Sequence, residues 1–459
     1  MLLVAAAYRR HWPVAASAVL LVAAAYRRHW PVAASAVLLV AAAGCARPAA
    51  VVELWSDRAE LAAYVDAFNA AGGPVKVALT YAPRPGGRLM SGAAAPDLLF
   101  GSGLASPELH GLLAPLDRLL HSRLAADEYY PKLLAAGAAG GRQFTLPFSF
   151  NLPVVVFARA EAPPDIDQSV LSDEEIRRLA DEFDAHARSL DEAPGGRDPE
   201  SAGDQPPLPG RLGIPVLWNE GLIYLLAQAR GAGFAAAEEG TVAIDRARLA
   251  ATVGAVHDWL QSGPGGIAGH RRFADVYLHL PLHQLVIEGR ILLYVTDIAS
   301  YARLPEEKRE LLDFRWLTVD GRIPLLEDYR SFAVPAAADN PAGAALFLRW
   351  ISQPPIQAHL LGAANFTWLR GFGLAGGFPA LREVSERMLP RSHAFLFGRM
   401  PDAALLRIPE PPPIDWAAAR RELVEPWLRA AAIAGALPPP GQPPLAQAVS
   451  RWRRTVDAP

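Results

Sequence analysis

The chain has 459 residues, of which 51% are hydrophobic and 20% are charged, a balance typical of a globular protein with a sizeable core. Its formal net charge is −3, which gives no basic footprint for nucleic acid, so nucleic-acid binding is not expected.

The predicted elements begin with a secretory signal over residues 1–44. A basic pair at residues 27–28 precedes an apolar run at residues 31–43, and small residues follow it, which is the layout of an export signal. The run is too short to span a bilayer, which needs about 20 apolar residues. The segment contains a perfect 18-residue tandem repeat, because residues 2–19 recur as residues 20–37.

Cys45, the only cysteine in the chain, follows this signal directly. The stretch Ala43–Gly44–Cys45 resembles the lipobox of bacterial lipoproteins, in which the cysteine is acylated and becomes the mature N-terminus. That motif usually has leucine three residues before the cysteine, where this chain has Ala42. Two acyl chains on one residue suffice for stable anchoring. The resemblance therefore predicts a lipid anchor at Cys45 with a linker over residues 45–50; the alternative is a buried thiol without a role.

The first part of the mature chain has an α/β pattern. Strands are predicted at residues 51–55, 74–81 and 97–100, and a helix with apolar residues at helical spacing lies between the first two. Asp57 and Glu60 have the spacing of a capping box for that helix, and Gly72 with Gly73 supplies its end. Strand, helix and strand in this order predict a parallel α/β unit.

The middle of the chain contains a strand-like stretch that two prolines interrupt. Residues 144–157 are apolar, but Pro147 and Pro153 are excluded from central ladder positions, so this stretch is expected to cross between structural units. Ser172 and Glu175 form another capping box, and residues 190–210 are predicted to be a surface loop.

The remaining elements alternate between helix and strand before a mainly helical end. Helices are predicted at residues 218–231, 245–261 and 340–361, and strands at residues 291–295 and 329–335. From residue 378 onwards, helices with proline-rich breaks are expected.

Five stretches together resemble the extracellular solute-binding proteins of the maltose-binding type, which are receptors of carbohydrate ABC importers. They are ELWSDRAELAAYVDAFNAA, APDLLF, GRQFTLPFSFNLPVVVF, VIEGRILLYVTDIASY and SFAVPAAADNPAGAALFLRWISQPPIQ. They occur in the family's order behind a lipobox and span residues 51–361. The resemblance implies a two-lobed α/β fold of periplasmic-binding-protein type II, in which hinge closure buries a ligand in the cleft between the lobes.

The family pattern also divides the chain into lobes. Residues 51–150 with 331–385 would form lobe 1, and residues 151–330 with 386–459 would form lobe 2. The crossings would fall near residues 149–153, 329–331 and 383–388.

Candidate ligand-binding residues lie where strands end, because open α/β sheets place ligands there. Sugars are held by aromatic rings against their apolar faces and by planar polar side chains around their hydroxyls. The candidates are Trp55, Asp57, Arg58, Phe150, Asn151, Trp218, Asn219, Asp297, Tyr301, Tyr329, Arg330 and Trp368.

Several candidates also have a purely structural interpretation. Asp57 and Asn219 could each cap a helix as readily as contact a ligand. Arg330 could pair with a carboxylate, and Trp368 could pack in the hinge together with Phe372.

Motifs for other chemistry are weak. Residues 371–376 (GFGLAG) match a dinucleotide fingerprint formally, but the required strand and acidic partner are missing. His279 and His283 have zinc-ligand spacing, but Pro281 between them makes a regular helix unfavourable. No nucleophile-elbow motif is present.

The sequence thus predicts a non-enzymatic, lipid-anchored receptor of a bacterial ABC importer. It would be exported, face the periplasm or the cell exterior as a monomer, need no metal or cofactor, and deliver a sugar or oligosaccharide to the permease. The alternatives are a lipid-tethered glycoside-acting enzyme, a surface adhesion lipoprotein, and a receptor for another small polar solute such as a polyamine.

Overall fold

The computed structural model describes residues 50–118, 126–162, 169–191, 209–219, 221–237, 241–327, 329–364 and 371–456. The predicted signal segment, Cys45, Trp368 and most of the predicted surface loop over residues 190–210 lie outside the described residues.

The strands, numbered along the chain, form two main sheets and three short ladders. They are β1 Ala50–Ser56, β2 Val75–Tyr81, β3 Leu98–Ser102, β4 Ala138–Ala139, β5 Arg142–Gln143, β6 Thr145–Phe150, β7 Pro153–Ala158, β8 Val170–Ser172, β9 Gly233–Ala236, β10 Val242–Ile244, β11 Leu293–Asp297, β12 Leu312–Thr318, β13 Ile323–Pro324, β14 Arg330–Ala333, β15 Phe378–Pro379 and β16 Leu406–Arg407.

The α-helices of the described residues cover these sheets and form the C-terminal part. They are α1 Leu61–Ala70, α2 Pro85–Met90, α3 Pro131–Ala135, α4 Asp173–Asp191, α5 Leu222–Ala229, α6 Arg246–Ser262, α7 Gly266–Tyr277, α8 Leu282–Ile287, α9 Ile298–Ala302, α10 Glu306–Leu311, α11 Pro341–Ile351, α12 Pro354–Ala364, α13 Leu389–Ser392, α14 Trp416–Ala419, α15 Glu425–Ala434 and α16 Leu445–Val456. Within the described part of the chain, no helix is both long enough and apolar enough to span a bilayer.

The first sheet has six strands in the order β15-β6-β14-β3-β1-β2. The β1 strand is parallel to both β2 and β3, which confirms the predicted parallel α/β unit, whereas β14 runs antiparallel to β3 and β6. Neighbouring residues of β1 face opposite sides: Leu54 belongs to the main core and Trp55 to a smaller cluster on the other face. We call this sheet, with the helices that pack on it, the first lobe.

The second sheet has four strands in the order β11-β7-β12-β8. The β7 strand is antiparallel to β11 and β12, and β12 is parallel to β8. Every residue of β7 is buried, which is expected for a central strand that is covered on both faces. We call this sheet, with helices α4 to α6 and the C-terminal helices α14 to α16, the second lobe.

The chain crosses from the first sheet to the second at Asn151 and Leu152, between β6 and β7. This confirms the predicted crossing. Pro153 opens β7, a position that proline tolerates. Pro147, in contrast, lies inside β6 opposite Ser331 of β14, where the ladder has a register shift, so its predicted exclusion from a central strand is wrong. The main core continues through the crossing, since the ring of Phe378 from the first sheet lies 5.8 Å from that of Trp316 in the second. The residue boundaries of the two lobes stay a prediction.

Three predicted helices differ in detail. Helix α1 begins at Leu61 after Glu60, with no side chain capping it, so the predicted capping box of Asp57 and Glu60 is wrong. The helix predicted over residues 218–231 begins only at Leu222, with Gly221 before it at φ +74°. The helix predicted over residues 340–361 is two helices, α11 and α12. Pro354 has no backbone N–H to donate, so α11 ends before it and α12 begins at it.

Other local predictions are confirmed. Ser172 and Glu175 form the reciprocal capping box: the Ser172 N–H donates to Glu175 Oε2 at 2.9 Å, and the Glu175 N–H donates to Ser172 Oγ at 3.2 Å. The Asn340 side chain, for which no cap was predicted, accepts from the Gly343 N–H and caps α11, and Pro341 holds the first helical position.

Candidate functional site

A cavity of about 550 Å³ lies in the second lobe beside the crossing, within the usual size range of small-molecule sites, roughly 300–1,000 Å³. Its lining combines an aromatic and apolar wall with a small set of polar side chains. The predicted site residues that line it are Trp218, Asn219 and Asp297. Pro153 and Leu326, which flank two of the chain's passages between the sheets, also line it.

Trp218 is the large aromatic side chain that the cavity exposes to solvent. It is 36% exposed, whereas five of the eight tryptophans among the described residues are buried. The guanidinium of Arg429 lies 5.3 Å from its ring centroid. A cation packed against the ring restricts its motion, so the indole offers a fixed flat surface.

Asn219, the next residue, is buried and is fully engaged with the backbone of β11. Its Nδ2 donates to the Val295 carbonyl at 2.6 Å, and its Oδ1 accepts from the Val295 N–H at 2.6 Å. The structure therefore corrects the interpretation of Asn219 as a helix cap. Because both Nδ2 and Oδ1 of the amide already form hydrogen bonds with the protein, Asn219 has little capacity left to bind a ligand.

Asp297 ends β11 and begins α9. Its Oδ1 accepts from the Ser300 N–H at 2.9 Å and its Oδ2 accepts from the Ser300 hydroxyl at 2.6 Å, so it is the N-cap of α9. Oδ1 also accepts from Asn151 Nδ2 at 2.7 Å. This bond ties the crossing to the wall of the cavity, and it places Asn151 behind Asp297.

The opposite wall carries an ionic network around Arg420. Its guanidinium pairs with Glu327 and, through Nε, with Glu425 Oε1 at 3.2 Å, and it lies 5.4 Å from the centroid of the Tyr224 ring. Residues Arg420–Val424 form a π-helical turn, a distortion that is frequent at functional sites. Both carboxylates thus share the single guanidinium of Arg420.

Tyr301 lies in a different place from Asp297, although only four residues separate them. It faces a second cavity of about 570 Å³ on the other side of α9, together with Phe372, His393 and Phe395. Burial raises the pKa of Tyr301 to about 12, and burial, together with the nearby Arg309, lowers the pKa of His393 to about 4. Both groups are therefore neutral near pH 7.

Four candidates are buried within the protein. Trp55 donates to Glu53 at 2.8 Å and lies under the guanidinium of Arg88, and Phe150 stacks on Phe378 at 5.4 Å. Besides Asn219 and Tyr301, described above, the candidates with exposures of 5% or less are Trp55, Phe150, Tyr329 and Arg330. These side chains contact protein in this structure, and a ligand contact at these positions stays a prediction.

Asp57 and Arg58 lie at the end of β1 in the first lobe. The Oδ1 atom of Asp57 is buried without a hydrogen-bond partner, 4.0 Å from Arg58 Nε, which likewise has none. Burial raises the pKa of the Asp57 carboxyl, and the Arg58 charge opposes this. A polar ligand group reaching this strand end would satisfy both atoms.

Sequence reasoning missed the contribution of the C-terminal helices. Arg420, Arg421 and Glu425 line the first cavity. Arg420 and Glu425 are five residues apart, a spacing that places two side chains on one face in a π-helical turn but not in a regular α-helix. No periodicity of the sequence indicates that turn. Of His, Cys, Asp and Glu within the described ranges, no three come together as a metal site would require.

Comparisons with solved structures identify the fold. A mannobiose-bound protein, CpMnBP1, matches with a TM-score of 0.59 and 12% identity, over 88% of this chain and 99% of that one. The sugar-binding protein MalE from the phytopathogen Xanthomonas citri matches with a TM-score of 0.58 and 13% identity, over 89% and 96% of the two chains. The maltose-binding periplasmic protein MalE from Listeria monocytogenes, in complex with maltose, matches with a TM-score of 0.54 and 13% identity, over 90% and 98%.

No protein-family model matches the sequence, and no curated protein is similar enough to be a relative. At 12–14% identity, the structural similarity shows the fold. The chain has the two-lobed α/β fold of the maltose-binding type, which confirms the fold class that the sequence predicted.

Proposed function

We propose that this protein is the substrate-binding component of a bacterial ABC importer, which captures a sugar or oligosaccharide between its lobes and delivers it to a permease. The observation that supports this most directly is the cavity beside the crossing, where the exposed Trp218 ring stands next to polar side chains. A flat aromatic surface beside hydrogen-bonding groups is what a sugar requires. The similarly folded CpMnBP1 and the MalE of Listeria monocytogenes are described as bound to mannobiose and maltose.

The charges around the cavity favour a neutral ligand over a polyamine. Both oxygens of Asp297 accept hydrogen bonds from the protein, and Glu327 and Glu425 pair with Arg420. A polyamine needs carboxylates that remain available to its ammonium groups, because desolvating an unpaired cation is costly. A sugar hydroxyl is neutral, so it needs no carboxylate to compensate a charge.

The arrangement also favours binding over turnover. Glycoside hydrolysis needs two carboxyl groups, one of them held as an acid, on opposite sides of the bond. Asp297 acts as the cap of α9 and a partner of Asn151, so it is held by contacts that a proton donor would have to give up.

The proposal includes the exported, membrane-tethered location of the protein, as a monomer held by acylated Cys45. That residue lies outside the described residues, so this part rests on the lipobox resemblance. Mass spectrometry of the protein recovered from bacterial membranes would show a diacylated N-terminal cysteine. A soluble mature protein that retains residues before Cys45 would contradict the anchor.

The function is tested by measuring the melting temperature of the protein against mannobiose, maltose, longer oligosaccharides, spermidine and amino acids. Ligand at about 100 times its Kd adds about 2.7 kcal/mol to the free energy of unfolding, which raises the melting temperature by a few degrees. We expect one class of sugar to do this and to be recovered unchanged by chromatography.

Two results would contradict the proposal. A sugar that is consumed would indicate the tethered enzyme, and a shift with spermidine alone would indicate the polyamine receptor. Trp218→Ala tests whether the ligand binds this cavity: with an affinity about tenfold lower, the same ligand concentration adds about 1.4 kcal/mol, so about half of the shift should be lost.

A further inference from the structure

Residues 411–416, which we call the strap, belong to the second lobe. The Pro411 carbonyl accepts from the Ala236 N–H at 3.0 Å, and Trp416 Nε1 donates to the Tyr224 hydroxyl at 2.8 Å. The ring of Trp416 packs 5.8 Å from that of Phe234. Both ends of the strap are therefore attached to the second lobe.

Ile414, only two residues before Trp416, has its side chain in the first lobe. It is 6% exposed and belongs to the small cluster that includes Leu104 and Leu109 on the back of the first sheet. The fit depends on Gly86, because a Cβ at that position would lie 2.6 Å from Ile414 Cδ1. The strap thus places one apolar side chain from the second lobe into a matched recess of the first.

Glu108 of the first lobe receives hydrogen bonds from two separate C-terminal segments. Its carboxylate oxygens accept from Arg453 Nη1 at 2.7 Å and Arg453 Nη2 at 3.0 Å, and Oε2 also accepts from the Ile414 N–H at 2.9 Å. The two side chains are only 11% and 14% exposed. A bidentate pair in such surroundings is stronger than an exposed ion pair.

The strap also contains strained backbone. Asp415 pairs with Arg84 of the first lobe at 3.2 Å, and the two residues have φ values of +61° and +56°. Phe234, under Trp416, has a φ of +74°. Non-glycine residues with positive φ values store backbone strain, and such residues are concentrated at ligand clamps and switch regions.

We propose that the strap, with Arg453, is a noncovalent latch that holds the two lobes in the arrangement seen here before any ligand binds. The strap and Arg453 contact the first lobe only through noncovalent interactions, away from the segments where the chain passes between the lobes. The two lobes can therefore rotate apart only if Ile414 leaves its recess and Glu108 loses its hydrogen-bond partners. The latch shifts the ligand-free population toward the closely associated lobes, and a receptor that is already in its binding arrangement has a higher apparent affinity.

The test is a distance measurement on the ligand-free protein. Cys45 is the only natural cysteine, so Cys45→Ser gives a full-length background into which spin labels are placed through Leu346→Cys and Val276→Cys. These residues are 37% and 42% exposed, and they lie in α11 of the first lobe and in α7 beyond the crossing. Double electron–electron resonance spectroscopy then measures the distance between the two labels, which reports the separation of the lobes.

We expect the parent to give one dominant distance, and Glu108→Gln or Ile414→Ala to add a second population at a different separation. The matched control is Glu182→Gln, which removes a carboxylate paired with Arg178 within α4 and should leave the distribution unchanged. Asp415→Asn removes the ion pair with Arg84 and keeps the test available should Glu108→Gln fail to fold; it should shift the population less, in the same direction.

Distance distributions of Glu108→Gln and Ile414→Ala that match the parent would overturn the latch. A second readout rests on the proposed function: the affinity for the sugar should fall about tenfold in Glu108→Gln, the effect of losing charge-assisted hydrogen bonds. A shifted distance distribution in a protein that binds no sugar would support the latch and reject the proposed function.

Discussion

The side-chain amide of Asn219 forms with Val295 the same pair of hydrogen bonds that a neighbouring strand would form. The β11 strand is at the edge of the second sheet, and Val295 there would otherwise present an unpaired N–H and C=O. Asn219 is 3% exposed, so its two hydrogen bonds with Val295 are shielded from solvent. The residue is thus a structural part of the cavity wall that also positions its neighbour Trp218.

Asn219→Ala should reduce the free energy of unfolding by about 2 kcal/mol, because two buried backbone groups lose their partners. Chemical denaturation monitored by circular dichroism measures the change. An unaltered denaturation midpoint together with lost sugar binding would show that Asn219 serves the ligand instead.

Trp218→Ala should weaken sugar binding about tenfold and leave stability nearly unchanged. Stacking on an aromatic ring contributes about 1 kcal/mol beyond the buried area, and the ring is already partly exposed. Isothermal titration calorimetry measures the affinity. Trp218→Tyr keeps a flat ring and should recover most of it; equal losses in both variants would argue against stacking.

Asp297→Ala should lower stability by about 1–2 kcal/mol, because α9 loses its N-cap and Asn151 loses its acceptor. Asp297→Ser keeps a capping oxygen but is too short to reach Asn151. Its stability should therefore fall between that of the parent and that of Asp297→Ala. Thermal melts of the three proteins compare them, and equal melting temperatures for Ser and Ala would mean that the cap contributes nothing.

His270 should make the protein less stable in weak acid. Burial lowers its pKa from 6.5 to about 4, and the ring is 3% exposed. The unfolded state therefore binds a proton between these two values while the folded state does not. Stability is full above pH 6.5 and declines as the pH falls toward 4, by on the order of 3 kcal/mol.

The matched variant for this prediction is His270→Gln, which has no proton to bind. Its melting temperature should fall less steeply between pH 6.5 and 4 than that of the parent, whatever its value at neutral pH. Parallel profiles for the two proteins would exclude His270 as a source of the acid sensitivity.

The sequence predicted the strands β1 to β3, β6, β7, β11 and β14 and the crossing at Asn151, because strong local signals mark them, but it missed β8, β12 and β15. The prolines at 147 and 153 interrupt an apolar run, and apolar residues recur with the period of a helix in α1. Where the ends of helices depend on tertiary contacts, the prediction was wrong. Asp57 has the spacing of a cap, but it lies at the end of β1 beside Arg58 and caps nothing.

The site was predicted only in part, for a physical reason. Trp218, Asn219 and Asp297 follow strand or loop signals and do line one cavity. Arg420 and Glu425 line that cavity together because a π-helical turn places both side chains on one face, and no local pattern of the sequence indicates that turn. The direction of a side chain at a strand end decides whether Tyr301 shares the cavity with Asp297, and composition does not determine that direction.

The discontinuous order of the first sheet bears on how the chain folds. Its strands β1 to β3 and β6 come before the second sheet in the chain, but β14 and β15 come only after it, so the first sheet lacks its last strand until Pro379 has been synthesised. Pairings between segments far apart in sequence give a high contact order, and such proteins fold slowly. A slowly folding chain stays unfolded for longer, which would suit the export that we propose for this protein.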